Sequence, residues 1–212
     1  ANGTNTSKLN SIFNLEGSGI KIREWDGGAV KTTHTEFGGR VVQKDTPASF
    51  SDHSTHVAGT LVASGVNPNA KGMAPKATLD AYDWTNDEIE MATAATAGAL
   101  VSNHSYGYLG GFEWGDWSGN VGWHWFGGDG DTEYIEYGQY SQADADWDNI
   151  ANNAGFYLPV KAAGNPRGSG PAPGGLHYVY INNAWVASNK VRQINGGASG
   201  FDCVNNGSTG KN

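Results

Sequence analysis

Apolar and polar residues follow two regular patterns along much of the chain. Alternation with a period of two predicts strands, and helical composition with suitable ends predicts helices. The predicted strands are Ile20–Asp26, Arg40–Lys44, Ala77–Trp84, Leu100–His104 and Phe156–Ala163. The predicted helices are a short amphipathic one around Leu9–Leu15, then Asp52–Ser64 with Asp52 as its N-cap, Asp87–Gly98 and Ser141–Asn153. Strands that alternate with helices predict an α/β fold of three layers, in which helices cover both faces of a mainly parallel sheet.

A stretch at about residues 106–140 interrupts this alternation. It contains eleven aromatic residues among many glycines, and we interpret it as a structured insertion, either a long loop or a small subdomain. The rings have two interpretations: a surface that extends a substrate cleft or stacks on glycans, or a local core that lets the insertion fold. Further along, a hairpin is predicted about Asn182-Asn183, and residues 195–212 have loop composition.

The composition excludes several classes of function. The 212 residues carry a net charge of -8 with a pI near 5.1, which argues against binding nucleic acid or an anionic membrane surface. No run of 18 apolar residues is present, so no membrane insertion is expected. The single cysteine, Cys203, allows no internal disulfide. It is expected either as a free thiol or as the partner of a cysteine on another polypeptide.

Three polar residues stand where catalytic groups of an acyl-transfer enzyme are needed. Asp26 ends a strand before Gly27 and Gly28, His53 lies in the first turn of a helix, and Asn165 follows a strand. Serine-dependent acyl transfer needs a base, a carboxylate that orients the base, and donors for the oxyanion. Each residue also has a simpler interpretation, as a turn former or a packing residue.

The two histidines of the first helix allow one more alternative. His53 and His56 are spaced to bind a metal, but position 54 is serine where a metalloprotease helix has glutamate. For His56 we prefer a packing role within the helix.

Five segments together resemble blocks of the subtilisin-like serine peptidases, the subtilases. They are Trp25–Gly28, His53–Thr60, Gly72–Pro75, Ser102–Gly107 and Ala162–Asn165. The resemblance implies that Asp26 and His53 are the acid and base of a catalytic triad and that Asn165 is the oxyanion-hole donor. It also implies that Ser105, Tyr106 and Gly107 pair with the substrate backbone, and that Ala163 and Gly164 form the other wall of the primary specificity pocket.

The resemblance implies a serine endopeptidase that acts on proteins or peptides, with no required cofactor. The aromatic insertion and the Asp-Gly-Gly block are most similar to secreted subtilases of Bacteroidetes bacteria, so a secreted or cell-surface location is expected. Subtilases often bind calcium as a structural ion. Asp129, Asp131, Glu133 and Glu136 could supply oxygen ligands, whereas the loop Ser64–Lys71 offers only Asn67 and Asn69, and no metal site is assigned.

Three departures from the family pattern qualify these expectations. Ser54 stands where glycine is usual, Gly27 stands where serine or threonine is usual, and no Gly-Thr-Ser nucleophile block is present. Neither Ser169 nor Ser199 lies in the sequence context expected of the nucleophile.

We therefore expect residues 1–212 to be the N-terminal part of a single subtilisin-like catalytic domain, with a sheet that is incomplete at the C-terminus. The expected partner is the C-terminal remainder with the catalytic serine. Cleavage in the Asn205–Asn212 loop would separate the two pieces, as would expression of a fragment, and a start at Ala1 suggests earlier processing. The alternative is an inactive subtilase homologue, or a module that binds glycan or protein through its aromatic insertion.

Overall fold

The computed structural model describes residues 3–211, so the expectations about Ala1 and about the Asn212 terminus lie outside the described residues. The helices are Thr6–Phe13 (α1), Asp52–Val62 (α2), Asp87–Thr96 (α3) and Gln142–Asn153 (α4), with a 3₁₀ turn at Pro68–Ala70. The strands are Lys21–Asp26 (β1), Val41–Gln43 (β2), Thr78–Asp83 (β3), Val101–His104 (β4), Phe112–Trp117 (β5), Asn120–Trp125 (β6), Leu158–Lys161 (β7), His177–Ile181 (β8) and Ala184–Ser188 (β9). The predicted helices and strands are confirmed, with ends that differ by a few residues.

The described chain forms two compact units. The first holds the residues up to Tyr106 together with Asn149–Lys161, and the second holds Gly107–Asp148 and the residues from Ala162 onward. The first unit contains a five-stranded sheet in the order β2-β3-β1-β4-β7, and every neighbouring pair in it is parallel. The predicted parallel sheet is therefore confirmed. No helix within residues 3–211 has the length and apolar character needed to cross a bilayer.

Helices cover both faces of this sheet, as the side chains of β1 reveal. Ile22 packs in a buried cluster with Ala58 and Val62 of α2. Trp25 has the opposite parity in the strand, and its indole Nε1 donates to Glu90 of α3 at 2.9 Å. Because side chains alternate between the two faces of a strand, α2 and α3 lie on opposite faces of the sheet. This arrangement is the predicted three-layer α/β fold.

The N-terminus of α2 differs from the prediction by one residue. The N-cap is Ser51, whose hydroxyl accepts the backbone N–H of Ser54 at 3.1 Å, and Asp52 lies inside the first turn. Both residue types cap helices well, so composition alone did not separate them. Asp52 still has a favourable place, because a negative charge in the first turn interacts well with the helix dipole.

The loop after α2 is organised around one carboxylate. Glu36 accepts backbone N–H groups from Gly65, Val66 and Asn67 at 2.7–3.0 Å. These hydrogen bonds, that from Asn67 above all, hold the pKa of the Glu36 carboxyl below its usual range. N–H groups directed at a carboxylate form a site for an anion rather than a cation. Within the described chain, no group of three or more His, Cys, Asp or Glu side chains is arranged to hold a metal ion.

The second unit contains a four-stranded sheet in the order β5-β6-β8-β9. The hairpin predicted about Asn182-Asn183 is confirmed, and both residues adopt positive φ, 49° and 64°, as a tight two-residue turn requires. A second hairpin, β5–β6, lies inside the aromatic stretch and pairs with β8.

Aromatic rings cover much of this second sheet. Phe112, Trp125 and Val179 form a buried cluster on one face. On the other face, the Trp117 ring lies over Gly115, where a Cβ atom would come within 2.5 Å of it. Trp185 contacts the rings of Trp117, His124, Phe126 and Tyr180 at centroid distances of 4.6–6.2 Å. These rings contact one another and the glycine backbone, as in a local core.

The last described residues are tied to α4 by a buried carboxylate. Asp144 accepts hydrogen bonds from the backbone N–H groups of Ser141, Gly207 and Thr209 at 2.7–3.1 Å. Burial raises the pKa of Asp144, but the hydrogen bonds from Ser141, Thr209 and Gly207 outweigh it and lower the pKa from 3.8 to about 2. The segment predicted as loop is thus irregular but anchored.

We predict that Asp144→Asn releases this segment. Amide hydrogen exchange at Gly207 and Thr209 should become about tenfold faster or more, because a hydrogen bond to a charged group contributes about 1.5–3 kcal/mol. A lowered pKa stabilises the fold above the unfolded-state value, so wild-type protection should be complete above pH 3.8 and lost as the pH falls through about 2. Asp146→Asn, on the same helix, is the control and should leave the exchange unchanged. Equal exchange in both variants would contradict the assignment.

Candidate functional site

Asp26 lies at the carboxyl end of β1, where parallel strands of an open sheet form ligand sites. Its neighbour Trp25 stacks on Tyr82 of β3 at 4.5 Å and on His104 of β4 at 5.1 Å, which fixes the end of the strand. Asp26 itself is buried, and its Oδ1 accepts the backbone N–H of Gly27 at 2.7 Å.

His53 completes the pair. Its Nδ1 lies 2.8 Å from Oδ1 of Asp26, while 59% of the imidazole side chain remains exposed. A hydrogen bond at this distance requires a proton between the two atoms. With that proton on Nδ1, the lone pair of Nε2 is free to accept another. The structure therefore brings together the two residues that the sequence assigned as acid and base, from positions 27 residues apart.

The turn after Asp26 is held by a second carboxylate. Gly28 adopts a φ of +92° and donates its N–H to Oδ2 of Asp83 at 2.8 Å. Burial raises the pKa of Asp83, but hydrogen bonds from Thr85 and Gly28 outweigh it and lower the pKa. Asp83 in turn donates its backbone N–H to Asp45 at 2.6 Å. The chain can therefore leave β1 sharply, which keeps the Asp26 carboxylate next to α2.

The departure at position 27 has a steric explanation. A Cβ atom on Gly27 would lie 2.8 Å from the indole ring of Trp84, which is closer than carbon atoms approach without strain. The same ring contacts Tyr106 edge to face at 5.7 Å. A serine or threonine side chain at position 27 would therefore require the Trp84 ring, which is 50% exposed, to shift.

The departure from the family pattern at position 54 is in contact with the one at position 27. Ser54 is buried, and its hydroxyl donates to the backbone carbonyl of Gly27 at 3.2 Å. A glycine at position 54 would have no such group. The added hydroxyl therefore links the helix that carries His53 to the turn that follows Asp26.

His56 does not have the packing role that we preferred from the sequence. Its side chain is exposed and lines an open groove with Lys31, His34 and Phe50. On an amphipathic helix, Ser54, Ala58 and Val62 face the core at a spacing of four residues, and position 56 falls outside this stripe. The packing interpretation is wrong because it did not take the phase of the helix into account.

The segment expected to pair with substrate begins in the first unit. Ser105 accepts a hydrogen bond from the side-chain amide of Asn103 at 2.9 Å. The Tyr106 hydroxyl donates to Asp87, and the ammonium group of Lys161 lies 3.6 Å from the centre of the Tyr106 ring. The Tyr106 side chain is thus held within this unit by Asp87 and Lys161.

A buried hydroxyl–imidazole network was missed by the sequence analysis. His104 Nε2 lies 2.7 Å from the Ser102 hydroxyl, which also contacts the Tyr157 hydroxyl at 2.6 Å. Burial holds the pKa of His104 well below its usual value. Ser102 and His104 are 1% and 0% exposed, so this Ser–His pair is not accessible to a substrate. The alternation of β4 could have indicated that both residues point inward, but not that they meet.

The other expected site residues belong to the second unit. Gly107, Ala163, Gly164 and Asn165 are all exposed there. Gly164 adopts a φ of +105°, which turns the chain just before Asn165.

The sequence profile of the Subtilase family (peptidase S8) matches residues 28–198. The match covers His53 and Asn165, and it begins two residues after Asp26. The chain belongs to the subtilase family, whose members are serine peptidases in general. A search among curated proteins finds no match.

Several solved structures are similar to the chain in fold. One is described as a cold adapted subtilisin-like serine proteinase, with 20% identity, a TM-score of 0.45, and coverage of 73% of this chain and 50% of that chain. Another is the prenylagaramide maturation protease PagA, with 18% identity, a TM-score of 0.48, and coverage of 75% and 52%. The chain therefore spans about half the length of these structures.

We predict that restoring the usual family residue at position 27 destabilises the protein. Gly27→Ser should lower the free energy of unfolding by about 1–3 kcal/mol, because the new Cβ overlaps the Trp84 ring. In a Trp84→Ala background the same substitution should cost less than about 0.5 kcal/mol, as measured by denaturant unfolding in a double-mutant cycle. Gly28→Ser is the control, since its positive φ should make it destabilising in both backgrounds. An equal cost of Gly27→Ser with and without Trp84 would contradict the steric explanation.

Proposed function

We propose that the complete protein is a serine endopeptidase that hydrolyses protein or peptide substrates. The observation that carries this proposal is the contact of 2.8 Å between Asp26 and His53 at the carboxyl edge of a parallel sheet. A buried carboxylate paired with an exposed imidazole is the arrangement that activates a serine hydroxyl. Membership of the subtilase family supports the same chemistry.

In the proposed mechanism, the serine attacks the peptide carbonyl while Nε2 of His53 accepts its proton. His53 then returns this proton to the leaving amine, and water repeats the two transfers to release the acyl group. Asp26 keeps Nδ1 protonated and stabilises the imidazolium that forms in each transfer. The buried position of Asp26 strengthens this interaction, because screening by water is weak there.

The remaining roles are assigned by resemblance. Asn165 would donate its amide N–H to the oxyanion. Ser105, Tyr106 and Gly107 would pair with the substrate backbone, and Ala163 and Gly164 would line the opposite wall of the primary specificity pocket. The exposure of Asn165 is compatible with a donor that meets a substrate.

We propose that the nucleophilic serine belongs to a C-terminal segment of the same domain. The sheet of the first unit supports this proposal, since β7 pairs only with β4 among the described strands. Its outer residues Leu158 and Val160 are 61% and 47% exposed, which is unusual for a parallel sheet. A further strand along β7 would pair with this open edge, and a helix that accompanies it would cover the exposed side chains. The coverage of about half of the similar structures is consistent with such a remainder.

The cellular location and a structural calcium ion are also proposed from the resemblance to known subtilases. Resemblance to secreted Bacteroidetes subtilases supports a secreted or cell-surface bacterial protein, for which calcium would be a structural ion only. Cys203 is a free thiol in the chain and is half-buried, so it is a candidate for contact with the C-terminal segment.

A non-catalytic binding module is the second candidate. The observation in its favour is that Trp114 and Tyr180 of the aromatic sheet are 62% and 54% exposed, as rings that stack on a glycan would be. Purification from the native source distinguishes the two candidates. A co-purifying polypeptide with a Gly-Thr-Ser sequence, identified by intact mass and sequencing, favours the peptidase.

We predict that His53→Ala abolishes hydrolysis of a peptide substrate by the complete enzyme. Loss of the base should reduce kcat by at least about 10⁴-fold, because the attacking hydroxyl keeps its proton. His56→Ala is the matched control on the same helix and should retain both kcat and thermal stability, since His56 is exposed. The 212-residue chain by itself serves as the blank. Equal loss of kcat in both variants would indicate a paired histidine site instead of a triad.

We also predict that Asn165→Ala in the complete enzyme lowers kcat by about 10²–10³-fold and leaves KM nearly unchanged. The amide would act on the oxyanion, which exists only in the transition state. Steady-state kinetics with a peptide substrate separates the two constants. A rise in KM at constant kcat would assign Asn165 to ground-state binding and remove it from the oxyanion hole.

A further inference from the structure

A buried glutamate lies two residues before the catalytic aspartate. Glu24 and Asp26 have the same parity in β1, so both side chains lie on the face that packs against α2. Glu24 is 0% exposed. Within residues 3–211, neither of its carboxyl oxygens has a hydrogen-bond partner. An unpaired carboxylate in such a place is costly, so its presence in β1 requires an explanation.

One carboxyl oxygen of Asp26 also lacks a hydrogen-bond donor among the described residues. Its Oδ1 accepts two hydrogen bonds, from Gly27 and from His53, whereas its buried Oδ2 has no donor among the described residues. A serine or threonine at position 27, as is usual in the family, would offer a hydroxyl close to this carboxylate. Gly27 offers no such hydroxyl, so another donor is needed.

The surroundings of Glu24 favour a neutral carboxylic acid. In the register of the sheet it lies beside Ala81 of β3 and Asn103 of β4, and the Asn103 amide donates to Ser105. Burial, and then the negative charge of Asp26, raise the pKa of Glu24 well above its usual range. A protonated carboxyl is a hydrogen-bond donor, and a carboxylate with a free oxygen is its natural acceptor.

We infer that Glu24 is a positioning residue that carries a proton and donates it in a hydrogen bond to one water molecule, which in turn donates to Oδ2 of Asp26. This inference rests on the proposed function. The bond fixes the rotation of the Asp26 carboxylate, so that Oδ1 stays directed at Nδ1 of His53. It does so without adding a second negative charge beside the imidazole.

The protonation state is tested on the 212-residue chain, without any activity measurement. The infrared spectrum at neutral pH should contain the C=O stretching band of a protonated carboxyl group. This band should disappear in Glu24→Gln and persist in Glu133→Gln, which changes an exposed glutamate. Absence of the band in the wild-type chain, or its persistence in Glu24→Gln, would show that Glu24 is ionised and would overturn the inference.

The positioning role is tested on the complete enzyme by comparing two variants of similar size. Glu24→Gln keeps an N–H donor and should retain most of kcat. Glu24→Leu has no donor and should lower kcat about tenfold or more, the loss expected for a hydrogen bond to a charged group, with KM unchanged. Its melting temperature should stay the same or rise, because an apolar side chain replaces an unpaired buried acid.

Two outcomes would overturn the positioning role. One is wild-type kcat in Glu24→Leu, and the other is a parallel fall of kcat and melting temperature, which would indicate only structural support. An inactive wild-type complete enzyme would instead refute the proposed function. The infrared result on Glu24 would still stand in that case.

Discussion

The contact between Asp26 and His53 is the constraint on which the first unit depends. It joins the end of β1 to the first turn of α2, so the strand, the turn and the helix must meet within one hydrogen-bond length. The turn after Asp26 is fixed by Asp83, and the start of the helix is fixed by Ser51. The parallel sheet and the α2 layer therefore serve to hold one carboxylate and one imidazole at a fixed distance. The contacts that stabilise the turn and the start of the helix therefore also fix the geometry of this pair.

Buried carboxyl groups are stabilised in three different ways in this protein. Glu36 and Asp144 accept several backbone N–H groups, which lowers their pKa and keeps them charged. Asp26 accepts a hydrogen bond from the imidazole of His53, which is exposed to solvent. Glu24 has none of these partners, and a raised pKa is the remaining way to avoid an isolated charge. In the sequence these four carboxyl groups look alike. Only their surroundings in the fold decide which of them are negatively charged.

The sequence predicted the sheet and helices well because alternation and helical composition are local properties. Prediction from these local patterns failed wherever the outcome depended on contacts in three dimensions. Ser51 and Asp52 are equally good caps, and the difference between them is the direction of one hydroxyl. The β5–β6 hairpin lies in the stretch that the sequence predicts only as a structured insertion, because Gly115 and Gly122 interrupt the alternation that marks a strand. The order of Asp26, His53 and Asn165 pointed to the candidate site, but the network around His104 also needs Tyr157, which is 55 residues from Ser102 in sequence.

The two substitutions next to the catalytic pair are best understood as one change. Glycine at position 27 makes room for the Trp84 ring, and it also removes a hydroxyl that could hold the turn. Serine at position 54 returns a hydroxyl to the same turn from the side of the helix, by bonding to the carbonyl of Gly27. Neither change would be neutral alone, because the first leaves the turn less constrained and the second buries a polar group that needs an acceptor. With both residues present, Asp26 and His53 lie 2.8 Å apart, although the contacts around the pair differ from the family pattern.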